Sequence, residues 1–366
     1  MAQWVVDKST GQEYTEVAFA PASKFSNGPA WIHESPFWPK GWEEGSPHGA
    51  FPLKHIAMKK LLSDQRSLTS KLFENVPWQL ARYLWDCLGR SKKRTLHMWK
   101  VFATTYPAQF PKVEPCYSMK IEGPQVSMRD YLRLATSESL SWRTVLTLGA
   151  SYAGVHELVG MGAVKNLAAL EIATPEHLAA NPKATEPPAT HLTDRIIRSW
   201  DEEAEVTDRF KHLRILVLKN QLHLSESSLV HLWRLRSLQY VVVYGCPNLI
   251  LDTSRVRLYG WMVVDEKPYP PHTLYEFYQA CSEEFTGDRS TLAAPILDFQ
   301  IGQLPNLPPR KRSKAGDRPS AIYLQRIDTN VESKKRKGYQ DGQHQPRKAV
   351  MKNRTKDIGD MLSDFF

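Results

Sequence analysis

Leu238-Gln-Tyr-Val241-Val-Val243-Tyr-Gly-Cys246-Pro-Asn-Leu249 is the stretch on which the fold turns. Val241 and Val243 alternate with their neighbours as a short strand does. Leu238 and Leu249 flank that strand, and Cys246 stands where the chain must turn sharply. Twenty-five residues earlier Leu213-Arg-Ile-Leu216-Val-Leu218-Lys-Asn220 repeats the strand, with Asn220 one place early relative to Cys246. Between the two, Ser225 to Leu235 has Leu229, Leu232 and Leu235 at helical spacing, which predicts a returning helix with those leucines inward. A strand and a helix alternating at a fixed interval place the chain in the α/β class.

The interval continues upstream. Leu167-Ala-Ala-Leu170-Glu-Ile172 and Val145-Leu146-Thr-Leu148 align 24 residues apart, and the 46 residues from Leu167 to Leu213 are close to two periods. That wider gap holds a Pro-rich loop, Asn181 to Pro188, and a predicted helix near Leu192 to Ala204. Downstream, Leu258-Tyr-Gly-Trp261-Met-Val263 offers a fifth strand, and Thr273-Leu-Tyr-Glu276 forms a capping box opening a helix with Leu274, Phe277, Tyr278 and Cys281 on one face. From about Trp142 to Val264 the pattern Leu-x-x-Leu-x-Leu-x-x-Cys/Asn-x-x-Leu resembles the leucine-rich repeat. The resemblance implies an irregular α/β solenoid over 136–290. Its parallel strands would line a concave binding face, and the helix from Thr273 would cap the open end. Leu213, Leu216, Leu218, Leu238, Val241, Val243, Cys246 and Leu249 would form its core, with Val217 and Val242 on the opposite strand face. An ordinary α/β layer is the competing reading.

Residues 53–135 read as a helical module. Pro77 suits a first helical turn, and Leu80, Leu84, Cys87 and Leu88 follow inward, with Gly89 as the stop. A second helix is predicted over Thr95 to Tyr106, with Leu96, Trp99, Phe102 and Ala103 inward. The intervening Arg90-Ser-Lys-Lys-Arg94 is a solvated loop or a phosphate contact. The order Val-Pro, amphipathic helix, basic turn, second helix resembles the F-box, which implies docking to a ubiquitin-ligase scaffold through residues near Val76 to Tyr106. Residues 1–52, dense in Pro and Trp (Trp31, Trp38, Trp42), read as an extended arm pinned by its aromatics, or as a Trp-lined peptide groove.

The 366 residues carry a net charge of +9, but residues 1–307 account for only +1. From Pro308 to Lys356 there are 15 basic and 4 acidic side chains. Residues 291–366 therefore read as a disordered basic tail that buries too little apolar surface to order itself. Arg310, Lys311, Arg312 and Lys314, and then Lys334, Lys335, Arg336 and Lys337, resemble nuclear-localisation clusters. They imply an import receptor as partner and residence in the nucleus. The same charge would hold nucleic acid without sequence choice. Residues 357–366 differ: Ile358, Met361, Leu362 and Phe365 share one helical face, with Phe366 following, which predicts a short helix that docks on a protein groove or in cis. Leu362-Ser-Asp-Phe365-Phe366 resembles the sliding-clamp-binding box, with Gly359 in place of its glutamine.

Nothing in the sequence spells out a catalytic, cofactor or metal centre. Gly160-Met-Gly162 has no strand before it, Ser151 lacks the spacing of a nucleophile elbow, and the histidines have no ligand partners at metal-binding intervals. His223 and His231 are expected at the surface or rim, and Asp201-Glu-Glu-Ala-Glu205 is expected to be a solvated face. Cys87, Cys116, Cys246 and Cys281 lie far apart, as intracellular free thiols do. The most apolar long window, Val145 to Leu170, is broken by His156, Glu157 and Lys165, so no membrane span or membrane partner is expected. The functional expectation is a non-enzymatic nuclear scaffold that binds a protein partner through the repeat surface and the terminal motif. A ubiquitin-ligase substrate receptor and a chromatin or nucleic-acid-associated factor are the alternatives.

Overall fold

The computed structural model describes residues 2–6, 13–17, 53–62, 64–90, 93–175, 191–249, 253–264, 273–282, 294–302 and 321–327. The chain divides into two units, Met1–Arg326 and Ile327–Phe366, and every described element belongs to the first. The strands are β1 (Ala2–Val6), β2 (Glu13–Val17), β3 (Cys116–Ile121), β4 (Arg143–Gly149), β5 (Leu167–Ala173), β6 (Ile215–Lys219), β7 (Tyr240–Tyr244), β8 (Trp261–Val264), β9 (Ile296–Ile301) and β10 (Ile322–Arg326). The helices are α1 (Leu53–Leu62), α2 (Ser70–Phe73), α3 (Trp78–Arg90), α4 (Leu96–Thr105), α5 (Met128–Ala135), α6 (Val155–Val159), α7 (Asp194–Val206), α8 (Ser227–Arg234), α9 (Thr253–Leu258) and α10 (Leu274–Ser282).

Eight strands form one sheet in the order β3-β9-β4-β5-β6-β7-β10-β8. All neighbours from β3 to β7 are parallel, and β10 is antiparallel to both β7 and β8. The register puts Leu170, Leu216 and Val241 side by side, then Ile172, Leu218 and Val243. These residues join Leu167, Leu213 and Leu238 in the main core, while Val217 and Val242 lie in a second, smaller core on the other face. Simple alternation would put Leu238 and Val241 on opposite faces. An irregular strand entry brings them together: the Arg214 carbonyl accepts from both Gln239 N (2.9 Å) and Tyr240 N (3.0 Å). A register shift at Thr144/Val145 does the same between β4 and β5. The two unconstrained positions of Leu-x-x-Leu thus have a structural cause.

The described helices that link β4 through β8 each send apolar side chains into the main core: Leu158 of α6, Trp200 of α7, Leu232 of α8 and Val256 of α9. Helices α3 and α4 join it through an aromatic stack in which Trp85 meets Phe110 edge-on at 5.1 Å and Trp99 meets Trp142 at 5.9 Å. Residues 53–135 are therefore not a separately cored module. They share this core and supply β3 at the sheet edge. In α4 the expected inward residues are all buried, and Thr95 caps the helix by accepting from Met98 N at 3.3 Å. Leu80, expected inward, is instead 54% exposed, because α3 packs through Ala81, Leu84, Trp85 and Leu88. Gly89 does not stop α3, which runs on to Arg90.

Four further expectations change. Residues 291–366 do not form one tail, since Ile296–Ile301 inserts as β9 between β3 and β4, and Ile322–Arg326 forms β10. Leu297, Phe299 and Ile301 of β9 are fully buried, enough apolar surface to order a strand. The strand read at Leu258–Val263 begins only at Trp261, after α9, and is kept from β7 by β10. Helix α10 packs on a face of the sheet, against β4 and β5, rather than over an end. Finally, residues 1–52 contain a two-stranded antiparallel ribbon, β1 with β2; the Trp-rich part lies outside the described residues.

Candidate interaction sites

At the ends of the strands a polar belt passes from one strand to the next. Asn220 and Gly245 occupy equivalent places after β6 and β7, both with positive φ (56° and 65°). Asn and Gly are the residues that tolerate this turn. Asn220 Nδ2 donates to the Thr174 carbonyl at 2.9 Å. Gln221, not Asn220, stands level with Cys246. Its backbone N–H reaches the Cys246 sulfur at 3.4 Å, its Nε2 donates to Thr174 Oγ1 at 3.1 Å, and its Oε1 accepts from Leu192 N at 3.0 Å. The belt satisfies backbone groups that a parallel array would otherwise bury unpaired.

On the opposite edge, a cleft of ≈ 1000 Å³ opens between the loops that follow α7 and α8. Its wall is built by Asp201, a buried carboxylate on α7 that accepts from His231 Nδ1 (2.8 Å) and Arg234 Nη1 (3.1 Å) on α8. The acidic run is thus not uniformly solvated, because its first residue clamps two helices together; His231 is half-buried at the rim, within the expected range. Arg326, the last residue of β10, closes the end of α8. Its guanidinium donates to the carbonyls of Leu235 (2.9 Å), Leu238 (3.1 Å) and Trp233, and lies 5.3 Å from the Trp233 ring centre. A cation at these carbonyls offsets the negative end of the helix dipole. Trp233 packs so closely on Gly260, itself at φ 81°, that any side chain there would collide with the indole. The cleft is lined by apolar Trp233 and the largely exposed Val206 together with charged Lys211, Arg236 and Asp208.

Helix α10 covers the other face. Its capping box forms as expected: Glu276 N donates to Thr273 Oγ1 (3.1 Å) and Thr273 N to Glu276 Oε2 (3.2 Å). Phe277 meets Tyr240 and Tyr323 at 6.1 and 6.0 Å. Burial pushes the Tyr278 phenol up, against the pull of Arg143 and Arg214. Burial, then the charges of Arg143, Arg214 and Lys211, hold His212 down at about 4, with Asp208 opposing. Burial also raises the Cys116 thiol, beside Tyr275 and Asp298, so this cysteine is not activated as a nucleophile.

The eight repeat-core residues from Leu213 to Leu249 are all buried. Both cationic clusters, Arg310–Lys314 and Lys334–Lys337, and the docking residues Ile358 to Phe366 lie outside the described residues. The first cluster falls in the connection between β9 and β10, not in a terminal tail. Ser151 sits in a short 3-10 turn and Gly160-Met-Gly162 in another. Among the described residues no three His, Cys, Asp or Glu side chains group as metal ligands, and no helix is long and apolar enough to cross a membrane. Sequence reasoning missed Asp201, Arg326 and β9. Only β9 left a signal, the alternation Leu297, Phe299, Ile301. Compared with protein-family models, curated proteins and solved structures, the chain finds no match.

Proposed function

We propose that this chain is a non-enzymatic nuclear interaction protein whose leucine-rich-repeat-like strand and helix array holds a protein partner. One observation carries the repeat reading. Strands β4, β5, β6 and β7 lie side by side in chain order, all parallel, and the described helices joining them share a single core. A doubly wound sheet would distribute the crossover helices of such a run over both faces, whereas here the described helix on the other face, α10, lies outside the β4 to β7 run. A solenoid stacks each unit only on its neighbours. The docking surface is the cleft between the α7 and α8 loops, which are equivalent positions of successive units and present apolar and charged groups together. Nuclear residence rests on the two cationic clusters.

The test is affinity isolation from nuclei, comparing the full chain with Val206→Asp combined with Arg236→Glu, both exposed positions. The expected result is a partner set lost in the variant while the far-ultraviolet spectrum is unchanged. An identical partner set overturns the cleft as the site. Tail dependence is tested by ending the chain after Arg326, which keeps β10.

A second reading, a ubiquitin-ligase substrate receptor, is favoured by the outward Leu80 on α3. It predicts a ligase scaffold protein that co-purifies with the chain and is lost with Leu80→Ser.

A further inference from the structure

His191 and His223 are far apart in the sequence, and the fold brings their rings together, with centroids 5.1 Å apart and planes at 79°. His191 lies just before α7, and His223 lies in the loop that follows β6. The two segments are fastened to each other on both sides of the pair. Leu192 N donates to Gln221 Oε1 at 3.0 Å, Thr193 bridges His223 in the parallel sense, and Ser225 N donates to Asp194 Oδ1 at 2.9 Å. The separation of the rings is therefore built into the backbone rather than left to two free side chains.

Neither imidazole has a hydrogen-bond or ion-pair partner among the described residues, and His191 Nδ1 is buried without one. A buried polar atom with no partner costs free energy until something satisfies it. A proton does so poorly: burial, then the charge of His223, lowers the His191 pKa, so near neutral pH the ring is uncharged and keeps a lone pair to donate.

The spacing suits a metal ion. Two imidazoles bonded to one ion at about 2.0–2.1 Å, with about 109° between the bonds, hold their ring centroids about 5.2 Å apart. Asp194 is not a third ligand, because Ser225 N occupies its Oδ1 while Ser225 Oγ and Ser227 Oγ donate to its Oδ2 at 2.6 and 3.2 Å. No three ligating side chains group among the described residues, so the other coordination positions fall to water. Imidazole selects late transition ions of the zinc class over magnesium and calcium, which take oxygen ligands.

We propose that His191 and His223 form a two-histidine site for a divalent ion of the zinc class, which pins the segment before α7 to the loop after β6. The site lies at the strand ends away from the cleft between the α7 and α8 loops, and it does not depend on that cleft being a docking surface.

The experiment titrates zinc into the metal-stripped full-length protein by calorimetry. At micromolar free zinc the parent should bind one ion per chain more than His191→Gln, His223→Gln or the double variant. His156→Gln, an exposed histidine on α6, should keep the full count, and magnesium should not compete. Because His223 is exposed, its glutamine variant should match the parent in far-ultraviolet spectrum and in unfolding midpoint with chelator present, which separates a lost ion from a lost fold. An unchanged ion count in His223→Gln overturns the proposal and leaves only an edge-to-face ring pair. A count that falls in only one of the two single variants, or magnesium binding as well as zinc, overturns it too.

Discussion

Leu218→Ala tests the core of the array most directly. Leu218 is fully buried near the end of β6, level with Ile172 on one side and Val243 on the other, which are also buried. The substitution deletes three carbons, worth roughly 2.4 kcal/mol of transfer at about 0.8 kcal/mol per methylene. Neighbouring strands fix the backbone on both sides, so the void cannot collapse fully and a cavity term adds to the loss. The expected total is about 3–5 kcal/mol, at the upper end of leucine truncations. Urea unfolding of the unit ending at Arg326 measures it, with the midpoint falling while the slope stays constant. Leu258→Ala is the matched control: at 83% exposure it should change stability by less than about 0.5 kcal/mol. Val243→Ala touches the same void, so the double variant should depart from additivity with Leu218→Ala. A loss under about 1 kcal/mol for Leu218→Ala, or strict additivity with Val243→Ala, would show that these strands do not share one packed core.

Arg326→Ala should lower stability measurably, because it strips the cation from three carbonyls at the end of α8, whereas ending the chain just after Arg326 should leave the unfolding midpoint of the first unit unchanged. His212 is held at about 4, below its ordinary 6.5, so the unfolded chain takes up that proton first. Its contribution is full above pH 6.5 and lost as pH falls toward 4, and His212→Gln should flatten the stability profile measured across that window. Asp298, whose carboxyl burial raises, acts with the opposite sign at the acid end and should survive in the variant. Phe365→Ala with Phe366→Ala should weaken partner binding by several kcal/mol without moving the thermal midpoint. For a sliding clamp in particular, a peptide of residues 351–366 should bind weakly and its Gly359→Gln form more tightly; no binding by either removes the clamp. Replacing Arg310, Lys311, Arg312 and Lys334 to Lys337 with alanine should move a fluorescent fusion to the cytoplasm, and unchanged nuclear signal refutes the import reading.

What the sequence determined by itself was local. Leu-x-x-Leu-x-Leu marked β5, β6 and β7, because side-chain period and chain spacing act within a few residues and leave their trace in the letters. Thr273 and Glu276 announced their capping box, and Thr95 to Tyr106 its helix, for the same reason. The tertiary structure decided everything that depends on distant pairing. Ile296–Ile301 is a strand because β3 and β4 leave a gap with hydrogen bonds to fill on both sides, and Asp298 is tolerated there because Ser118, 180 residues away, donates to it at 2.7 Å. Arg326 became a helix cap, and Asp201 a clamp, only when chain segments far apart in sequence met. The direction of α10 follows the same rule. Its apolar face was legible, but whether Phe277 would cover a solenoid end or lie between Tyr240 and Tyr323 was settled by where β10 entered the sheet.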